Sequence, residues 1–240
     1  MQSREPMFNA PAIVVWLLGL LVLVHVGLSL LPDREAWTVT IMLALNPARY
    51  TGYADALPGG KVAAVTSFVT HQLVHGDLMH LGINAAWLLA FGSAVARRIG
   101  TARFLLFAVL SGIAGALAFI ACHLGESTDM VGASGALAGL MGGAFRFLFS
   151  AFDDGGPDAF QGDQRLIRRM SLGELFRDRR AQLAIGFWVG INFATALAAP
   201  LFTSAGGIAW EAHLGGFAFG LLLFGLFDRP EPVPDPVITD

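Results

Sequence analysis

The sequence predicts an all-α membrane protein, a six-transmembrane-helix bundle with its N-terminus and C-terminus cytoplasmic. Three observations predict it. Hydrophobic residues make up 55% of the 240 and charged residues only 14%, where soluble domains carry about 25% charged. Six apolar runs approach or reach the roughly 20 residues needed to cross a bilayer. The arginines gather on alternate connections between those runs, which sets the orientation.

The first run extends from about Pro11 to Leu31. No small-residue cleavage pattern follows it, so it reads as a retained anchor rather than a signal peptide. The second covers about Leu78 to Ala96, with His80 and Asn84 near its start, and the third about Phe104 to His123. The fourth covers about Val131 to Phe149, the fifth Leu183 to Phe202, and the sixth Ile208 to Phe227. None alternates with period two, which excludes a transmembrane barrel.

Residues 1–10 form a cytoplasmic N-terminal segment, 11–228 the membrane domain, and 229–240 a proline-rich, disordered tail. Two connections are long. The outer loop 32–67 contains Trp37, Tyr50 and Tyr53. The cytoplasmic loop 151–182 opens with a flexible acidic stretch (DDGGPD). It continues as RLIRRMSLGELFRDRR, whose Leu166, Met170 and Leu172 predict a helix lying on the inner membrane surface.

With the N-terminus inside, the inner segments hold twelve of the fifteen basic residues: Arg4, Arg97, Arg98, Arg103, Arg146, Arg165, Arg168, Arg169, Arg177, Arg179, Arg180 and Arg229. Only Arg34, Arg49 and Lys61 fall outside. Net charge is −3, so no basic surface argues for nucleic acid. The single cysteine, Cys122, excludes an intrachain disulfide. No phosphate loop or dinucleotide fingerprint is present. Cys122 and His123 read as structural, as does His25.

Polar side chains inside spans are expensive and mark function. Spans two, four and six run outside to inside. His80 and Asn84, Ser134 and His213 therefore all lie within roughly 10 Å of the outer ends. A serine hydroxyl becomes a nucleophile when a base takes its proton, and histidine suits that task. The developing oxyanion needs donors. Backbone amides near Ser134 and the side chains of His80 and Asn84, one helical turn apart, would supply them. Glu211 is two residues from His213 and points elsewhere on a helix, so the expectation is a Ser–His dyad. Gly132 and Gly135 flank Ser134. Gly135, Gly139 and Gly143 on span four, and Gly216 and Gly220 on span six, have the small-xxx-small spacing that lets backbones approach. Gly139, Gly143, Gly186 and Gly190 read as packing positions.

At these residues the sequence resembles the rhomboid family of intramembrane serine proteases. The motifs are V-G-A-S-G-A at Val131 to Ala136, H-L-G-I-N from His80 to Asn84, and A-H-L-G-G at Ala212 to Gly216. The resemblance covers about residues 10 to 228. It implies a six-helix core, Ser134 as nucleophile, His213 as general base, and His80 and Asn84 as the oxyanion-stabilising pair. His71 and His75 match further histidines that precede that pair. It also implies single-span membrane protein substrates cut near the outer face, and no metal or organic cofactor. Two departures stand out. Thr66 and Ser67 occupy the place of a Trp-Arg pair, which predicts a weakly anchored first loop. Ala138 stands where some members stack an aromatic on the base, which predicts a less firmly held His213.

His71 and His75 have the spacing of H-E-x-x-H, but Gln72 replaces the glutamate that zinc proteases need as base. A catalytically inactive rhomboid-like protein that binds membrane clients would keep the bundle and lose the serine or histidine, and both are present. A transporter would show internal repeats and a polar site at the midplane. The arginine-rich inner segment suits anionic lipid. The expected location is a bacterial inner membrane, since no transit-like leader is evident.

Overall fold

The computed structural model describes residues 10–155, 163–202 and 208–229. Most of the two terminal segments of the domain reading, and part of the acidic stretch after residue 153, lie outside the described residues. Six helices are long and apolar enough to cross a membrane, within a few residues of the predicted spans. They are α1 (Ala12–Ser29), a second span Leu78–Ile99, α6 (Thr101–His123), α7 (Ser134–Gly155), α9 (Arg179–Phe202) and α10 (Trp210–Phe227). The second span comprises α4 (Leu78–Trp87), a π turn (Leu88–Gly92) and α5 (Ser93–Ile99).

α7 is the axis of the bundle, with 89% of its span buried, against 11% for α1 and 17% for α9. A helix that is apolar and small-residue-rich all round buries itself completely. Its glycines allow this. Gly135 and Gly139 meet Gly216 and Gly220 backbone to backbone, and Gly115 of α6 faces Ala212 of α10. Gly139 and Gly143 are packing positions as expected. Gly186 and Gly190 are not: a β-carbon on either would enter open space. α9 turns that face away from the bundle.

At one end of the bundle, Arg98 is fully buried against Asp228, with two contacts of 3.0 Å. It also donates to the carbonyls of Gln164 and Ile167 and lies 4.6 Å from the Phe147 ring centre. Arg146 donates to the carbonyls of Met170 and Leu221. A buried guanidinium persists only when its donors are satisfied in this way. These bonds also correct the expected surface helix in the inner connection. Among the described residues between α7 and α9, α8 (Leu172–Leu175), opened by a Ser171–Glu174 capping box, is the one helical segment. The carbonyls of Ile167 and Met170 are spent on arginines instead of a helical ladder. Ile167 and Met170 are themselves buried.

The first connection is ordered. It forms α2 (Asp33–Leu43), two short 3-10 turns and α3 (Gly60–Thr70). The predicted weak anchoring is corrected by Arg49. This guanidinium donates to the carbonyls of Ile41 at 2.9 Å, Pro58 at 2.8 Å and Gly60 at 3.4 Å. Tyr50 adds a bond to the Ala64 carbonyl, and Thr70 one to Leu43. A fork with five donors suits a loop whose free groups are carbonyls.

Candidate active site

The segment that leads into α7 is extended and held from two sides. Met130 exchanges both backbone bonds with Leu45, at 2.8 and 3.0 Å. Asn46 donates to Asp129 at 2.8 Å. Two residues on, the Gly132 N–H donates to the His71 carbonyl at 2.9 Å. The first connection and the turn after α3 thus fix the approach to Ser134. Gly132 has φ +118°, which favours glycine. A β-carbon there would lie 2.7 Å from His80 Nε2 and 3.8 Å from Ser134 Oγ. Those two side chains therefore flank one small space beside the Gly132 backbone.

Ser134 is the first residue of α7. The opening amides of a helix have no acceptor one turn back and carry the positive end of its dipole. The amides from Ser134 onward thus suit an oxyanion. The Gly132 amide, also close to Ser134, is already engaged by the His71 carbonyl.

Ser134 Oγ lies 2.7 Å from His213 Nε2. The glycine contact of α7 with α10 brings them together, one to two turns beyond the Gly139–Gly220 crossing. On its other side, His213 Nδ1 lies 2.8 Å from Oδ1 of Asn192, on α9. Asn192 is a polar residue within a predicted span, and the sequence alone assigns it no part in the site. The signal was a carboxamide in an apolar helix, and the missing knowledge was which way α9 faces. Ala138 is buried and presents no ring to the imidazole. The expectation of a loosely held His213 is corrected, because Asn192 holds it.

Asn84 is buried and donates from Nδ2 to the His80 carbonyl at 2.8 Å, which leaves its second N–H for another acceptor. His80 also meets His75 edge-on, with ring centres 5.0 Å apart. His71 donates from Nδ1 to the Ser67 carbonyl at 2.7 Å. Burial lowers the His71 pKa to about 4. Burial, with the neighbouring His80, does the same for His75. Both are neutral near pH 7. All the predicted site residues are therefore gathered at one end of the bundle. Gly135 lines the α7–α10 contact, and Gly132, His71 and His75 shape the His80 side.

Glu211 faces away from the pair, as its helical position predicts. His123 bridges Glu211 at 3.1 Å and Glu126 at 2.8 Å, tying the end of α6 to the start of α10. Among the described residues, no three His, Cys, Asp or Glu side chains converge as a metal site would require.

A family model described as Rhomboid domain matches residues 63–229. No protein in the curated set matches the chain. The match runs from α3 to the end of α10, over more than half of the chain, and takes in every residue of the cluster around Ser134. On that ground this multi-pass membrane protein belongs to the rhomboid family.

Proposed function

We propose that the chain is an intramembrane serine endopeptidase. It hydrolyses peptide bonds of single-span membrane proteins near the outer membrane face, through a Ser134–His213 dyad. The observation that carries this reading is the 2.7 Å contact between Ser134 Oγ and His213 Nε2. His213 Nε2 accepts the hydroxyl proton as Oγ attacks the carbonyl carbon. The oxyanion is stabilised by the first amides of α7, the His80 ring and the free N–H of Asn84. His213 then protonates the leaving amine, and water hydrolyses the acyl-enzyme by the same path in reverse. The chemistry needs no metal or organic cofactor and no nucleic acid.

Antiparallel spans put the buried Arg98 and Arg146 at the opposite end of the bundle from Ser134. Twelve residues of helix separate Ser134 from Arg146, roughly 18 Å. The arginine-rich end suits the cytoplasmic leaflet, which leaves the dyad toward the outer face and both termini inside. A bacterial inner membrane fits this arrangement. Replacing Ser134 by Ala should abolish cleavage of a single-span reporter in proteoliposomes without changing the thermal melt. Cleavage at the wild-type rate would reject the assignment. Labelling of Ser134 by a fluorophosphonate separates a protease from an inactive client-binding relative.

A further inference from the structure

His213 is useful as a base only in one tautomer. Its Nε2 faces Ser134 and must carry a lone pair, so the proton must sit on Nδ1. In water the two tautomers interconvert freely. Here Nδ1 faces Asn192 Oδ1 at 2.8 Å. The Asn192 carboxamide cannot turn its nitrogen to His213 without losing a bond, because Nδ2 donates to the Trp188 carbonyl at 2.9 Å. Asn192 is buried, at 4% exposure. Oδ1 is thus the atom offered to the imidazole, and it only accepts. We propose that Asn192 is a positioning residue of the site. It keeps His213 protonated on Nδ1 and its ring turned toward Ser134. This rests on the dyad reading above, and makes the working unit Ser134–His213–Asn192, drawn from three helices.

The mounting of α9 agrees with such a role. The helix touches α10 through aromatic pairs on either side of the hydrogen bond. Trp188 stacks on Phe217 with ring centres 4.2 Å apart, and Phe193 meets Trp210 at 4.8 Å. Most of the rest of α9 faces outward: Leu183, Phe187, Ile191 and Leu197 are exposed. Two ring contacts and the hydrogen bond between them therefore hold α9 to α10 around the base. Any movement that parts α9 from α10 would also release the Nδ1 anchor. Around His213, α4 contributes His80 and α7 contributes Ser134, while Glu211 on its own helix is engaged by His123.

The test uses the full chain in lipid nanodiscs with ¹⁵N-labelled histidine. Wild type should show His213 as the Nδ1–H tautomer. Asn192→Leu should show mixed tautomers. Its kcat on a single-span reporter should fall on the order of ten- to a hundredfold, with KM little changed, and Ser134 labelling by a fluorophosphonate should slow by the same factor. Asn192→Asp accepts the same bond and should retain most of the rate. Its carboxylate stabilises the imidazolium, so the acid limb of kcat/KM should move to higher pH. An unchanged tautomer and kcat in Asn192→Leu would overturn the proposal. Should that variant fail to fold, Asn192→Asp decides alone, and an unshifted acid limb overturns it. A wild-type protein with the Nδ1–H tautomer that neither cleaves nor labels would reject the protease reading and leave the positioning role standing.

Discussion

Gly220→Ala tests how the fold delivers catalysis from a distance. The β-carbon of an alanine at 220 would fall on the Gly139 carbonyl oxygen, well inside contact distance, and close to Gly139 C and Cα as well. Both partners are backbone, so no side chain can rotate away. Ordinary contact at roughly 3.4 Å requires the helices to part by about 1–1.5 Å. Gly220 is seven residues from His213, about 10 Å along the helix, and Gly139 is five from Ser134. If α7 and α10 move as rods, the 2.7 Å Ser134–His213 contact opens to about 4 Å, beyond hydrogen bonding. A misplacement of about 1 Å in a reacting pair costs on the order of a hundredfold. Over-packing itself costs about 1–3 kcal/mol. The expected result is a loss of kcat/KM near that hundredfold in a reporter assay in nanodiscs, with a lowered Tm. Gly190→Ala is the control, since its β-carbon meets nothing within 4 Å. Wild-type activity and Tm in Gly220→Ala would refute the claim that backbone contact sets the dyad geometry.

Other outcomes follow from the same structure. Arg98→Ala should destabilise the protein by up to roughly 3–5 kcal/mol, because Asp228 is left buried with only the longer 3.5 Å contact to Arg169; a melt within 1 °C of wild type would contradict this. Gly132→Ala should lose activity more than stability, since the new methyl crowds His80 Nε2 in a backbone conformation alanine avoids. A variant with intact turnover would remove His80 from the reacting space. Stability should fall as pH drops from about 6.5 to 4. His71 and His75 are held near 4 when folded, so the unfolded chain takes up protons first. Above 6.5 neither state is protonated and the contribution is flat. His75→Gln should shallow that slope in detergent melts, and an identical slope would assign the effect elsewhere.

The two departures from the family pattern show why a motif comparison underestimates a structure. Thr66 and Ser67 suggested a loose first loop, yet Arg49, far upstream, closes it. Carbonyls of a folded-back loop need a donor in space, and the chain position of that donor is free. Ala138 suggested a loose base, yet Asn192 from a different helix supplies the restraint. Gly186 and Gly190, expected as packing positions, meet nothing, because α9 presents that face outward.

The sequence by itself determined the six spans, the end of the bundle rich in arginine and the polar residues that share a depth. Each of these depends on local composition and on a 1.5 Å rise, so each can be counted along the chain. Rotation about the helix axes and the partner of each face belong to the tertiary structure alone. That is why the engaged amide of Gly132, the broken inner helix around Arg146 and the Asn192 contact to His213 emerge only there. Such features depend on which glycines let two backbones touch, a property of pairs of helices that no single segment encodes.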